Sequence, residues 1–423
     1  PSLILRMTLL LLMGLYILLN REYRQVLQVM MLVLAGLLSV TCEIFLGRRY
    51  EFFADAQYLA RFVFNVTSLA VFTRLLTGGR FSRRDAAALL RRIFTWTALL
   101  MAGSIIACFV LSSVLPVRIG FYASADRFGI RGSSGFYYAA NEAVAILMLL
   151  LPVTMADFFD AGPLKNLKSW PRLLAPAAVM NALLLVGTKT AFVALAAGAA
   201  FVFIYQLLQA RRHKDRALFK RCRHLVGITL ALFVLLSVFG MAQTVFSSIS
   251  RLGSIVEEER TEDSFSYLED DEQRWAWQNS HPILRVLLSG REYYLRRAGE
   301  SWATDVRTVL FGVGRGTQSH IIEMDFFEIL FYYGLFGLVV MALPFAKRAW
   351  WLIRAPGAGL HRLSVILALA LTVGYAFIAG HVFFSVTGGF YFVLMILYGE
   401  FIASAAVERS PETSSASGEL SPG

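Results

Sequence analysis

About eleven apolar runs of roughly 20 residues recur along this chain, each long enough for a helix to cross a hydrocarbon core of ~30 Å. They lie near 2 to 19, 25 to 46, 55 to 76, 92 to 115, 135 to 157, 171 to 186, 189 to 209, 224 to 247, 321 to 345, 361 to 379 and 382 to 405. Lipid offers no hydrogen bonds, so a spanning segment must satisfy its own backbone as a helix or join a closed barrel. A barrel needs ~10-residue segments that alternate apolar and polar positions, and no such alternation is present. With 57% hydrophobic and only 16% charged residues, and a mean hydropathy of +0.60, the chain has too little polar surface for a soluble globule. The expected fold is all-α: a polytopic membrane protein with about 11 transmembrane helices. The count becomes about 12 if an N-terminal span is missing, since the first residue is Pro1 and already lies in an apolar run.

A formal charge of +11 would suit nucleic acid, but the basic residues are sorted along the chain rather than gathered on a patch. Arg80, Arg83, Arg84, Arg91 and Arg92 fill one connection, and Lys165, Lys168 and Arg172 fill the next on that side. Arg211, Arg212, Lys214, Arg216, Lys220, Arg221 and Arg223 fill a third; Lys347, Arg348, Arg354 and Arg362 fill a fourth. By the positive-inside rule these four loops are cytoplasmic, and no nucleic-acid partner is expected. Alternate counting then puts 47 to 54, 116 to 134, 187 to 189, 248 to 320 and the turn at Gly380 outside. The chain divides into N-terminal membrane helices (1–247), a large, partly helical external loop (248–320), C-terminal membrane helices (321–406) and a cytoplasmic tail (407–423). That tail is rich in Ser, Pro, Glu and Gly and is expected to be disordered. Cys42 and Cys108 fall in spans and Cys222 in a cytoplasmic loop, so no disulfide framework supports the outer loop.

An ionisable residue at the bilayer centre costs about 2.5 to 3.5 kcal/mol unless paired or hydrated, which makes charged residues in spans the first functional candidates. They are Arg61 and the polar Asn65 in the third span, Glu142 in the fifth, Lys189 at the mouth of the seventh, and Glu323, Asp325 and Glu328 opening the ninth. Arg61 suits a bond to Gln57 as well as a cavity and is assigned no role. Helix-dipole electrostatics, worth ~0.3 to 1 kcal/mol, explains one acid at a helix start better than three. On a helix, Glu323 and Asp325 point to different faces, whereas Asp325 and Glu328 share one. The run Gly312-Val313-Gly314-Arg315-Gly316 follows no strand and reads as a flexible turn rather than a dinucleotide loop. Six scattered histidines include no HExxH or Cys-x-x-Cys spacing; Glu323-x-Asp325 offers two carboxylates to a divalent ion, but neither metal nor cofactor is expected. Outside, Arg127, Arg131, Arg291 and Arg315 stand among many arginines, and guanidinium suits bidentate binding of a lipid-linked diphosphate.

The order of motifs resembles the bacterial O-antigen ligase and Wzy-type polysaccharide polymerase superfamily, whose fold is related to GT-C glycosyltransferases. The matching residues are Arg127-Phe128-Gly129-Ile130-Arg131-Gly132, Gly135-Phe136 with Ala140-Asn141-Glu142, Gly187-Thr188-Lys189-Thr190-Ala191 and Ser289-Gly290-Arg291-Glu292. Phe311-Gly312-Val313-Gly314, Glu323-Met324-Asp325-Phe326 and Tyr333-Gly334-Leu335-Phe336-Gly337 complete the order. The resemblance implies an arginine at Lys189, an arginine at Arg291, and in the ligase branch a histidine at Glu323. Lysine at 189 keeps the charge but loses bidentate geometry. Glutamate at 323 is similar to the polymerase branch, while His320 keeps a ligase-like histidine in view.

The implied reaction transfers an oligosaccharide from a polyprenyl diphosphate to a sugar hydroxyl, without a metal and with inversion. Glu323 would accept the hydroxyl proton, with Asp325 orienting it or the acceptor. Arg291 and Lys189, helped by Arg131 or Arg127, would hold the leaving diphosphate, with Asn141 and His320 as further substrate-binding candidates. The implied partners are a polyprenyl-diphosphate-linked donor and acceptor, membrane lipid and a chain-length regulator. The implied location is the bacterial plasma (inner) membrane, with the active site on the external face. A ligase passing the glycan to another acceptor is the alternative reading. A lipid or glycan transporter ranks lower, because it would need charges spread through the spans rather than gathered at one side.

Overall fold

The computed structural model describes residues 2–48, 51–78, 81–117, 119–121, 132–137, 139–161, 169–247, 249, 288, 291–316, 322–355, 359–378, 380 and 382–407. Most of the 248–320 loop, the tail from 408, and the candidates Arg127, Arg131 and His320 lie outside these residues. Every described helix is an α-helix: α1 (Ser2–Leu19), α2 (Tyr23–Phe45), α3 (Phe52–Thr77), α4 (Arg83–Val114), α5 (Ala140–Asp160), α6 (Trp170–Val186) and α7 (Lys189–Arg212). There follow α8 (Arg216–Ser237) and α9 (Met241–Ser247), bent by 95° at the break between them. Last come α10 (Arg291–Trp302), α11 (Val306–Phe311), α12 (Asp325–Arg354), α13 (Leu360–Ile378) and α14 (Val386–Val407).

Each apolar run thus carries a helix. Among the described residues, 8 helices are long and apolar enough to cross a membrane, or 9 if α8 and α9 count as one span; α1 and α6 are the shorter apolar ones. The basic connections are shorter than the sequence reading placed them. Ser82 caps α4 by accepting from the Asp85 N–H at 3.1 Å, so Arg83 to Arg92 are helical. Asp215 accepts from the Ala217 and Leu218 N–H groups at 2.9 and 3.0 Å. That cap starts α8 at Arg216 and places Cys222 inside a helix instead of a loop, because a good N-cap satisfies donors that would otherwise fray the first turn. Cys42, Cys108 and Cys222 are all free and buried.

At the centre runs α5, apolar on every side and buried continuously from Ala143 to Phe159. A helix of that kind must be wrapped by others, and α4, α6, α7, α13 and α14 pack around it. A second core joins α2, α3, α10 and α12, with Tyr58, Phe62, Tyr332, Tyr333 and Phe384 inside it. Arg48, just past α2, ties that core to α10 and the turn after it by donating to Ser301 Oγ at 2.7 Å and Thr304 Oγ1 at 3.1 Å.

The main irregularity is within α12, where Gly334 adopts φ 67° and ψ −172° and breaks the helix in two. Carbonyls freed by a break inside lipid need new donors. Val313 and Gly314 donate to the Phe331 and Tyr332 carbonyls at 2.8 and 3.0 Å, and Ser39 Oγ donates to Tyr332 O at 2.6 Å. The Gly312–Gly316 run is therefore not a flexible turn. It is stitched to the break on one side and, on the other, its Arg315 and Gly316 N–H groups donate to the buried Asp55 carboxylate at 2.6 and 2.8 Å.

Candidate functional site

The starts of α5, α7, α10, α12 and α14 and the end of α13 meet at the side away from the basic turns. Tyr375, near the end of α13, donates through its hydroxyl to the Asn141 backbone carbonyl at 3.0 Å. It lies within electrostatic reach of Arg291, Asp325 and Glu323. Ser385, just before α14, donates to Glu142 Oε1 and caps the helix by accepting from the Gly388 N–H at 2.9 Å. Asn65, deep in α3, pins the same connection by donating to Phe383 O at 2.8 Å. Asn65 and Glu142 thus brace the loop that faces the site.

Arg291 opens α10 and reaches Glu323. Its Nη2 donates to Glu323 Oε2 at 2.7 Å and its Nε to the same oxygen at 3.3 Å, while Nη1 donates to the Leu288 carbonyl at 3.3 Å. The two side chains differ in access: Arg291 is 15% exposed and Glu323 45%. Lys189, at the first position of α7 after the Thr188 cap, lies within electrostatic reach of Arg291 and Glu292. Two cations and a half-exposed carboxylate from three separate parts of the chain therefore lie near one another. Both carboxylate oxygens of Glu292 are buried without a hydrogen-bond partner among the described residues.

Glu323 does not lie on a helix as the sequence reading assumed. Its φ is 60°, a left-handed conformation that costs a non-glycine residue roughly 1 to 2 kcal/mol, and α12 begins two residues later at Asp325. The Glu323 N–H donates to Glu328 Oε1 at 2.9 Å. On its other side Gly380 lies so close that a Cβ there would sit 2.4 Å from the Glu323 carbonyl oxygen.

The remaining acids of the motif turn inward. Asp325 and Glu328 are both 0% exposed. Asp325 Oδ2 accepts from the Val382 and Phe383 N–H groups at 2.5 and 2.7 Å, so its carboxylate holds the connection between α13 and α14. Glu328 takes the Tyr58 hydroxyl on its other oxygen. Among the described residues, no three His, Cys, Asp or Glu side chains gather to hold a metal ion. Arg61 stacks its guanidinium 5.9 Å from the Tyr58 ring centroid, the contact that neither sequence alternative named.

Of the sequence candidates, the structure brings Arg291, Glu323, Lys189 and the Asn141 backbone to one region and sets Asp325 into its wall. Tyr58 and Tyr375 escaped the sequence reading, since a tyrosine in an apolar run carries no local signal of a partner hundreds of residues away. No curated protein matches this chain. The family model described as O-antigen ligase like membrane protein matches residues 2–404, and the chain belongs to that family.

Proposed function

We propose that the protein polymerises polyprenyl-diphosphate-linked oligosaccharide repeat units into a surface polysaccharide on the outer face of a bacterial plasma membrane. Family membership makes it a membrane protein of O-antigen and glycan assembly; the finer reading rests on the site. The observation that carries it is the Arg291–Glu323 pair beside Lys189. It puts a carboxylate beside one hydrogen-bonded guanidinium and a nearby ammonium, at the end of the helices opposite the basic turns.

In this reading the donor's diphosphate lies on Arg291 and Lys189, and the acceptor is a sugar hydroxyl of a second lipid-linked repeat. Glu323 takes the hydroxyl proton as that oxygen bonds to the donor's anomeric carbon. The bond from that carbon to the diphosphate breaks, and its electron pair leaves with the polyprenyl diphosphate. Arg291 and Lys189 stabilise the charge that develops there. One displacement inverts the anomeric centre. Glutamate at the position where the ligase branch carries histidine favours polymerase over ligase. A chain-length regulator is the protein partner that this reading expects.

Reconstitution of the full chain in liposomes with a synthetic polyprenyl diphosphate oligosaccharide tests the assignment. Products resolved by size should form a ladder. A single transfer to a different acceptor makes the enzyme a ligase, and translocation of the substrate without transfer makes it a transporter.

A further inference from the structure

We propose that Glu328 is the positioning residue of this site: its buried carboxylate fixes the backbone of Glu323 in the left-handed turn that presents the Glu323 side chain to Arg291. The inference rests on the reading of Glu323 as the base but concerns a residue that never reaches substrate.

The turn itself is costly. Glu323 has a Cβ and adopts φ 60°, a conformation that persists only when its surroundings over-determine it. Among the described residues, Gly380, Arg291 and Glu328 hold it. Gly380 closes one side with backbone, leaving no room for a Cβ. Arg291 takes the side chain. Glu328 accepts the Glu323 N–H at 2.9 Å, satisfying a donor that has no helical partner because the helix has not yet begun.

Glu328 is itself held. It is 0% exposed, and the Tyr58 hydroxyl occupies its second oxygen. Tyr58 stacks on Phe384 with ring centroids 4.1 Å apart and packs edge-on to Tyr332 at 5.8 Å. A rigid path thus runs from α3 through Tyr58 and Glu328 to the backbone of Glu323. A polar group buried this deeply is costly unless hydrogen-bonded, and the Tyr58 hydroxyl and the Glu323 N–H both bond it. Such a geometry suits a support, because a misplacement of about 1 Å at a reacting group costs ~10²-fold in rate.

Two variants separate this role from general packing. Glu328→Leu removes the acceptor, whereas Glu328→Gln keeps an oxygen able to accept the Glu323 N–H. In proteoliposomes with the synthetic polyprenyl diphosphate oligosaccharide, Glu328→Leu should lose about 100-fold in kcat with KM for the donor within about threefold. Glu328→Gln should recover to within about tenfold of wild type. An activity-independent arm follows labelling of Glu323 by a water-soluble carbodiimide, read by mass spectrometry on the folded full chain. Freed from Arg291, Glu323 should label several-fold faster in Glu328→Leu and near the wild-type rate in Glu328→Gln. Equal labelling and equal kcat in Glu328→Leu and wild type would overturn the inference, as would Gln and Leu variants equally impaired. If no transfer occurs in wild type but the labelling pattern holds, the proposed reaction fails and the positioning role stands.

Discussion

Arg291 and Glu323 are bonded to each other, although the proposed reaction asks each to serve a different substrate. A hydrogen bond to a charged group contributes roughly 1.5 to 3 kcal/mol net, so a donor diphosphate must displace Glu323 from Arg291 before the carboxylate can take a proton. This couples base activation to donor binding and predicts that donor binds first. Glu323→Gln should abolish turnover, losing the ~10² to 10⁴-fold of a general base, yet bind a radiolabelled polyprenyl diphosphate at least as tightly as wild type. Arg291→Ala should weaken that binding by about tenfold or more while the protein remains folded. If Glu323→Gln weakens donor binding, the two residues do not compete and the order fails. At Lys189, a lysine replaces the arginine that the family resemblance implies, a compact charge in place of a fork. Lys189→Arg should retain transfer, whereas Lys189→Ala should raise the KM for donor and lower kcat, as initial rates across a range of donor concentrations would show.

The broken helix α12 shows how an element, not a side chain, delivers the motif. Its first half, from Asp325 to Tyr333, carries Asp325 and Glu328, and the break at Gly334 aims that half at Tyr58 and the 382–383 backbone. A Cβ on Gly334 would meet the Leu310 carbonyl oxygen at 2.3 Å and would have to adopt φ 67°. Gly334→Ala should therefore cost about 1 to 3 kcal/mol in strain alone and lower both the unfolding temperature in detergent and the transfer rate. Gly103→Ala in α4 is the control, since nothing lies within 4 Å of its Cβ position; helix propensity makes it neutral or stabilising by about 0.5 to 1 kcal/mol. The apolar runs announced every long helix because burial in lipid is a property of composition over 20 residues. Neither the break at Gly334 nor the left-handed Glu323 was legible in that way. Both depend on partners distant in sequence, Leu310 and Val313 for the first, Gly380 and Arg291 for the second. Asp55 makes the same point: nothing beside it in sequence marks a partner, yet it anchors the Gly-rich run through backbone amides 260 and 261 residues away.

For the whole molecule, the distribution of charge assigns the two ends of the bundle opposite tasks. The Lys- and Arg-rich turns sit at one end, locked by Arg348 to Glu400 and by His361 to Asp160 at 2.6 Å. The Arg291–Glu323 site sits at the other. If the positive-inside rule sets orientation here, the site end is extracytoplasmic, as a reaction on externally presented glycans requires. The chain is well suited to a direct test because Cys42, Cys108 and Cys222 are free but buried, which keeps background labelling low. Glu300 on α10 is exposed, 64% for its side chain, and His213 is exposed at the turn between α7 and α8. In intact cells a membrane-impermeant thiol reagent should modify Glu300→Cys. It should reach His213→Cys only after the membrane is permeabilised. The reverse pattern would put Arg291 and Glu323 in the cytoplasm. There the glycosyl transfer would precede export of the repeat unit, and the proposed polymerisation on the outer face would be excluded while the fold and family stayed as they are.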